Sequence, residues 1–179
     1  MDTTELQKVL DRFRDAVISQ SKRNLTRLRK NSSKKLYNSI KGKVKAYPNS
    51  FHMEFTMEDY GFYQDKGVSG IKKKYNTPYS YKSKGGKNGL KGMPPPKAFD
   101  KWIVRKGLAP RGADGKFLNR KSLSFLIARS VYRNGIKPTM FFTKPFEAAY
   151  KNLPDDMVER FGLEVEQLFN QMVITNKNG

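Results

Sequence analysis

The sequence predicts an α+β fold, and three observations predict it. Apolar residues recur near a 3.6-residue period at the start of the chain. They alternate with polar ones at period 2 between positions 43 and 58. A second helical stripe returns near the end. The chain has 179 residues, which suits one domain with a sizeable core. A single domain over 1–179 is therefore expected, in four parts: helix plus hairpin over 1–66, a basic insertion over 67–120, helices and an edge strand over 121–173, and a frayed tail over 174–179. The expected architecture is a long N-terminal helix and a C-terminal helix packed on a small, mostly antiparallel sheet, with a long basic inserted loop or arm.

Residues 3–30 read as the opening helix. Leu6, Val9, Leu10, Phe13, Val17 and Leu28 make its stripe, with Gln20 and Asn24 continuing it. Thr3 or Thr4 supplies a cap and Glu5 sits in the first turn. At 1.5 Å per residue such a helix spans ~40 Å, long enough that one end is expected to project or to meet a neighbour. Ser33 or Asn31 can cap a short helical turn carrying Leu36, Tyr37 and Ile40.

The clearest strand signal follows. Val44 and Ala46 alternate with Lys43 and Lys45. Phe51, Met53, Phe55 and Met57 alternate with His52, Glu54, Thr56 and Glu58. Tyr47-Pro48-Asn49-Ser50 forms the turn of a hairpin with one apolar face. Tyr60, Phe62 and Tyr63 are then expected to be core residues of a helical turn stopped by Gly67.

Residues 67–94 lack periodicity and are rich in Lys, Gly, Ser, Tyr and Pro, the pattern of a long loop that serves a function or stays unstructured. The segment "MPPPKAFDKWIVRKG" reads as a helix with Phe99, Trp102 and Ile103 inward and Gly107 as its stop. In "KSLSFLIARSVYRNG" Leu123, Leu126, Ile127 and Val131 are expected inward. Thr139–Thr143 reads as an edge strand, a helix begins near Pro145, and Pro154 interrupts it. A last helix carries Met157, Phe161, Val165, Leu168 and Met172, with Asp155 and Asp156 at its start.

Charge carries the functional signal. The net charge is +20. Residues 1–146 hold 33 basic and 10 acidic side chains, whereas residues 147–179 hold 3 and 6. Ten basic residues and no acid lie between Asp15 and Glu54, and nine lysines and no acid between Asp65 and Asp100. Such blocks repel one another unless a polyanion or an acidic neighbour supplies counter-charge.

Catalytic chemistry is poorly represented. The chain has no cysteine and one histidine, His52. Thiolate nucleophiles and Cys-based zinc sites are thereby excluded, and imidazole chemistry has one candidate group. His52, Glu54 and Glu58 share a strand face, but a charged outer face explains them as well as a metal site does. The Gly-Lys pairs in "KGGKNGLKG" and "ADGK" do not fit a P-loop. Asp100 and Asp114 have no partner evident in sequence. The expectation is a non-enzyme without cofactor or metal. No secretory leader and no membrane span are read in the sequence, so a soluble protein made in the cytoplasm is expected.

Candidate contacts with a partner or with DNA are Arg29, Lys30, Lys34, Lys35, Lys72, Lys73, Lys74, Lys82, Lys84, Lys87 and Lys91. Tyr75, Tyr79 and Tyr81 are interleaved with them as stacking groups. Lysines neutralise phosphates and tyrosines stack on bases, without sequence specificity.

Two motifs add a resemblance. "LYNSI" over Leu36–Ile40, followed by the hairpin and "YGFYQDKG" over Tyr60–Gly67, resembles a pattern of tailed-phage minor tail components. In that pattern G-x-L-x-x-S-I precedes two strands and a Y-A-x-Y-V-E-x-G-T turn. "KPTMFFTKPFEAAYKNL" resembles the same family's R-P-F-x-x-P-A segment, here Lys144, Pro145 and Phe146. "IARSVYRNGIKPTMFF" is similar to a segment of neck and tail-completion proteins. The chain departs from the pattern at Lys34 and Lys35, where a small residue is usual, at Asp65 for glutamate and at Val68 for threonine. Residues 68–120 are an insertion relative to short members.

The resemblance implies structural roles for Leu36, Ser39, Ile40, Tyr60, Tyr63, Asp65, Gly67, Lys144, Pro145 and Phe146. It also implies a virion protein of the neck or tail, forming a homo-oligomeric ring at the head–tail junction as a connector, tail-completion or tail-terminator subunit. Its partners would be further copies of itself, neighbouring portal, connector or tail proteins, and packaged DNA, with no membrane. The alternative reading is a free cytoplasmic nucleic-acid-binding protein without sequence preference.

Overall fold

The computed structural model describes residues 3–82, 91–113 and 115–161. The fold is α+β, with a long N-terminal helix and one two-stranded antiparallel sheet. The chain divides into two compact units. The first comprises Met1–Gly61 and Met140–Gly179, the second Phe62–Thr139.

In the first unit, helix α1 spans Thr3–Arg27 and buries Leu6, Leu10, Phe13, Val17, Ser21, Asn24 and Leu25. It ends before residue 30, with Arg29 in the left-handed region at φ 53°. Leu28 lies beyond the helix and is exposed, and Ser21 and Leu25 occupy the buried stripe that the sequence reading gave to Gln20 and Leu28. Helix α2 covers Lys35–Ser39 and leads directly into strand β1, Lys41–Tyr47. Strand β2, Ser50–Thr56, pairs with β1 from Lys41↔Thr56 to Tyr47↔Ser50. This is the hairpin and the turn that the alternation predicts.

Helix α6, Thr143–Tyr150, closes over this hairpin and α1. Its Phe146 meets Phe13 edge-on at 5.3 Å, and Phe142 just before it meets Phe55 at 5.4 Å. Edge-to-face pairs of this kind add ~1 kcal/mol each beyond the area they bury. The Asn24 side-chain amide donates to the Phe141 carbonyl at 3.3 Å, which gives this buried polar side chain a partner. The expected edge strand over Thr139–Thr143 does not form. Met140 is left-handed at φ 50°, Phe141 and Phe142 turn, and α6 begins at Thr143. Pro145 falls in its first turn, where its missing N–H breaks no bond. Helix α7 covers Asp155–Phe161, and the expected helical stripe beyond it and the tail lie outside the described residues.

Helix α3 covers Tyr60–Lys66 and stops at Gly67, whose φ of 76° is the left-handed geometry the sequence anticipates. In the second unit, residues 67–82 are not the extended arm that composition suggests. Val68 and Ile136 exchange two backbone hydrogen bonds of 2.8 Å, and the Ile71, Lys72 and Lys73 amides donate to the Tyr132 and Arg133 carbonyls. The Ser69 hydroxyl donates to the Tyr75 carbonyl at 3.1 Å and accepts from the Tyr75 amide at 2.9 Å. A 3-10 turn over Pro96–Phe99 continues into α4, Asp100–Arg105. Helix α5, Arg120–Asn134, buries Ser124, Ala128 and Tyr132. The buried Ser124 hydroxyl donates to the Asp100 carboxylate, so Asp100 has a partner that sequence did not reveal.

Candidate electrostatic interface

Charge is divided unequally between the two units. Residues 62–139 hold 19 basic and 3 acidic side chains, a net +16. The rest of the chain holds 17 and 13, a net +4. Three carboxylates cannot neutralise nineteen cations whatever their arrangement. The second unit therefore carries a net positive field, which solvent ions screen and which would attract a polyanion or an acidic neighbour.

In the second unit Lys72, Lys73 and Lys74 are exposed on backbone fixed by the Arg133 and Gly70 contacts. Lys73 stands over the Tyr75 ring at 5.7 Å. The Lys74 ammonium donates to the Gly70 carbonyl at 3.1 Å, which draws it back onto the loop. Lys82 and Lys91 are exposed, and the Lys91 carbonyl accepts from the Tyr132 hydroxyl at 3.3 Å. Lys84 and Lys87 lie outside the described residues.

The tyrosines are placed differently from free stacking groups. Tyr79 meets Tyr63 edge-on at 4.7 Å, and Tyr81 meets Tyr132 at 6.0 Å. Burial raises the Tyr81 phenol pKa above its ordinary value. Tyr75, Tyr79 and Tyr81 are all half-buried, so their rings first serve to fix the loop. Tyr60 and Tyr63, expected in the core, are 43% and 44% exposed, and Phe62 is half-buried. Asp65 is buried, and its carbonyl accepts from the Thr139 amide at 3.0 Å.

The first unit has a second basic surface. An open hollow of about 640 Å³ is lined by Lys22, Arg23, Arg27 and Tyr37, with Asp15 as its acid. Lys22 lies over the Tyr37 ring at 5.3 Å. Arg29, Lys30 and Lys34 are exposed beside the end of α1. Lys35 is committed elsewhere, since its ammonium meets the Glu58 carboxylate at 3.0 Å and the hydrogen bond raises its pKa. On the outer hairpin face Lys43 stands opposite Glu54 and Lys45 opposite His52. Glu54 thus sits across the strands from a lysine, and among the described residues no group of three or more His, Asp or Glu could hold a metal ion.

The motif residues take structural positions. Leu36, Ile40 and Phe146 belong to one buried cluster of the first unit. The Ser39 hydroxyl accepts from the Glu58 amide at 3.0 Å and donates to the Leu36 carbonyl at 2.9 Å. Pro145 is buried and Lys144 exposed. No protein-family model, curated protein or solved structure matches the chain. Among the described residues no helix is long and apolar enough to cross a membrane.

Proposed function

We propose that the protein is a structural virion subunit of a tailed bacteriophage. It forms a homo-oligomeric ring at the head–tail junction, as a connector, tail-completion or tail-terminator component. The observation that carries this reading is the meeting of Leu36, Ile40 and Phe146 in one core. These residues come from two motifs about a hundred positions apart, and the resemblance to neck and tail components requires both motifs to serve one scaffold. The Ser39 tie and the left-handed Gly67 stop support the same reading.

The mechanism is mechanical and electrostatic. The first unit, whose charge is nearly balanced, provides faces for neighbouring copies. The second unit presents its cations to acidic neighbours or to DNA in the channel, and counter-charge is gained on assembly. Mass spectrometry of purified virions tests the reading. The protein is expected as a stoichiometric component copurifying with portal and tail proteins, and its absence would overturn the proposal. The alternative, a free nucleic-acid-binding protein, is favoured by the +16 of the second unit alone. It requires the lone monomer to bind DNA or RNA tightly with a steep salt dependence, whereas the ring reading expects weak binding before assembly.

A further inference from the structure

The hollow on the second half of α1 gathers cations beside apolar groups. Lys22, Arg23 and Arg27 line it together with Ile18 and Tyr37. Asp15 is its acid, and Arg14, which does not line the hollow, already holds that carboxylate at 2.9 Å. Among the described residues none of the three cations forms an ion pair. Exposed cations on a convex surface are screened by solvent ions and mark no site by themselves. Two features set these apart. Lys22 is half-buried, with its ammonium 5.3 Å from the centre of the Tyr37 ring. The surface is also concave, and a cleft with apolar walls focuses the field of the charges that line it.

The pattern of charge identifies the occupant. Arg23 and Arg27 stand one helical turn apart on α1, so they are neighbours, about 5–6 Å apart at Cβ. Guanidinium groups hold phosphate oxygens through paired N–H donors. Lys30 and Lys34 are exposed just past the helix, and no acid follows Asp15 before Glu54. The row therefore leaves the hollow with one sign of charge. A matching ligand carries a negative charge at each repeat and an apolar or aromatic body between charges. A single nucleic-acid strand has both in its covalent structure. A duplex turns its bases inward and leaves Ile18 and Tyr37 without a contact. An acidic peptide carries its carboxylates on separately mobile side chains, so it loses more entropy in matching the same row.

We propose that this hollow binds single-stranded nucleic acid, with phosphates at Arg23 and Arg27 and a sugar–base unit against Ile18 and Tyr37. Lys22, docked on the Tyr37 ring, adds its charge beside the same phosphates. The site belongs wholly to the first unit, whereas Lys72, Lys73 and Lys74 belong to the second. It goes beyond the ring reading and does not depend on it.

Photo-crosslinking of the full chain to a short oligothymidylate carrying iodouracil, which couples to nearby aromatic rings, tests the proposal. Mass spectrometry of the digest is expected to find an adduct on Tyr37. Arg23→Ala with Arg27→Ala is expected to lower its yield about tenfold or more. Lys8→Ala with Arg12→Ala removes the same charge from exposed positions of α1 outside the hollow, and is expected to leave the yield in place. Arg23→Glu alone, at an exposed position, is expected to repeat the loss with the thermal melt unchanged. The absence of a Tyr37 adduct, or equal losses in the two double variants, would overturn the proposal. So would an oligoglutamate of equal charge that suppresses the adduct as well as unlabelled oligothymidylate does, since the hollow would then take acidic protein segments. A Tyr37 adduct on a chain that forms no ring would leave this site standing and remove the ring. Rings without the adduct would do the reverse.

Discussion

The Ser39 hydroxyl accepts a 3.0 Å hydrogen bond from the Glu58 amide and so ties the two ends of the hairpin together. Ser39 ends α2 just before β1, and Glu58 follows β2 by two residues. The same hydroxyl donates to the Leu36 carbonyl. One side chain thereby fixes the route of the chain into the sheet and out of it. Replacing it with alanine leaves a partly buried amide without its acceptor. Ser39→Ala is expected to cost ~1–2 kcal/mol of stability. Urea unfolding followed by circular dichroism measures this as a lower midpoint with an unchanged slope. Glu58→Gln, which removes only the solvent-accessible ion pair between the half-buried Glu58 and the exposed Lys35, is expected to move the midpoint little.

The folded state of residues 67–75 depends on close backbone contact with residues 132–138. Gly135 has a φ of 74°, and a methyl group there would collide with the Val68 carbonyl. Gly135→Ala is therefore expected to open this contact at a local cost above ~1 kcal/mol. Amide hydrogen exchange reports it directly. The Val68 and Ile136 amides, which bond reciprocally at 2.8 Å, should lose protection by tenfold or more, while the amides of β1 and β2 keep theirs.

These contacts mark the boundary of what sequence makes legible. Period-2 alternation has one solution, so the pairing of Lys41 to Tyr47 with Ser50 to Thr56 follows the pattern in every pair. The stop at Gly67 was equally legible, because few residues tolerate its geometry. The loop over 67–82 was not, because it is held by backbone hydrogen bonds that leave no side-chain period. The orientation of α5 was misread because leucine outranks serine and alanine on any hydropathy scale. Trp102 was misplaced for a related reason, being 39% exposed while Ile103 beside it is buried. Of the candidate interface, the sequence revealed the charge blocks. It did not reveal that Lys35 and Lys74 are held by their own chain or that Tyr79 and Tyr81 pack on other rings.

That distinction among lysines is testable. Lys72 is exposed, whereas Lys35 is paired with Glu58. The logarithm of the affinity of assembled protein for duplex DNA falls linearly with the logarithm of salt concentration. Each phosphate contact removed lowers that slope by about 1. Lys72→Ala is expected to lower the slope by about that amount and Lys35→Ala to leave it unchanged. Fluorescence anisotropy titrations at several salt concentrations separate the two. Equal slopes for both variants and the wild type would remove the lysine loop from the DNA-facing surface.

The central claim is that copies of this chain close into a ring in which neighbours or DNA offset a charge that one copy cannot. Native mass spectrometry of the purified protein across rising concentration, with and without short duplex DNA, tests it most directly. The account predicts one closed oligomer of fixed copy number that grows with concentration and is favoured by DNA. A chain that stays monomeric at every concentration, with DNA present or absent, would contradict it.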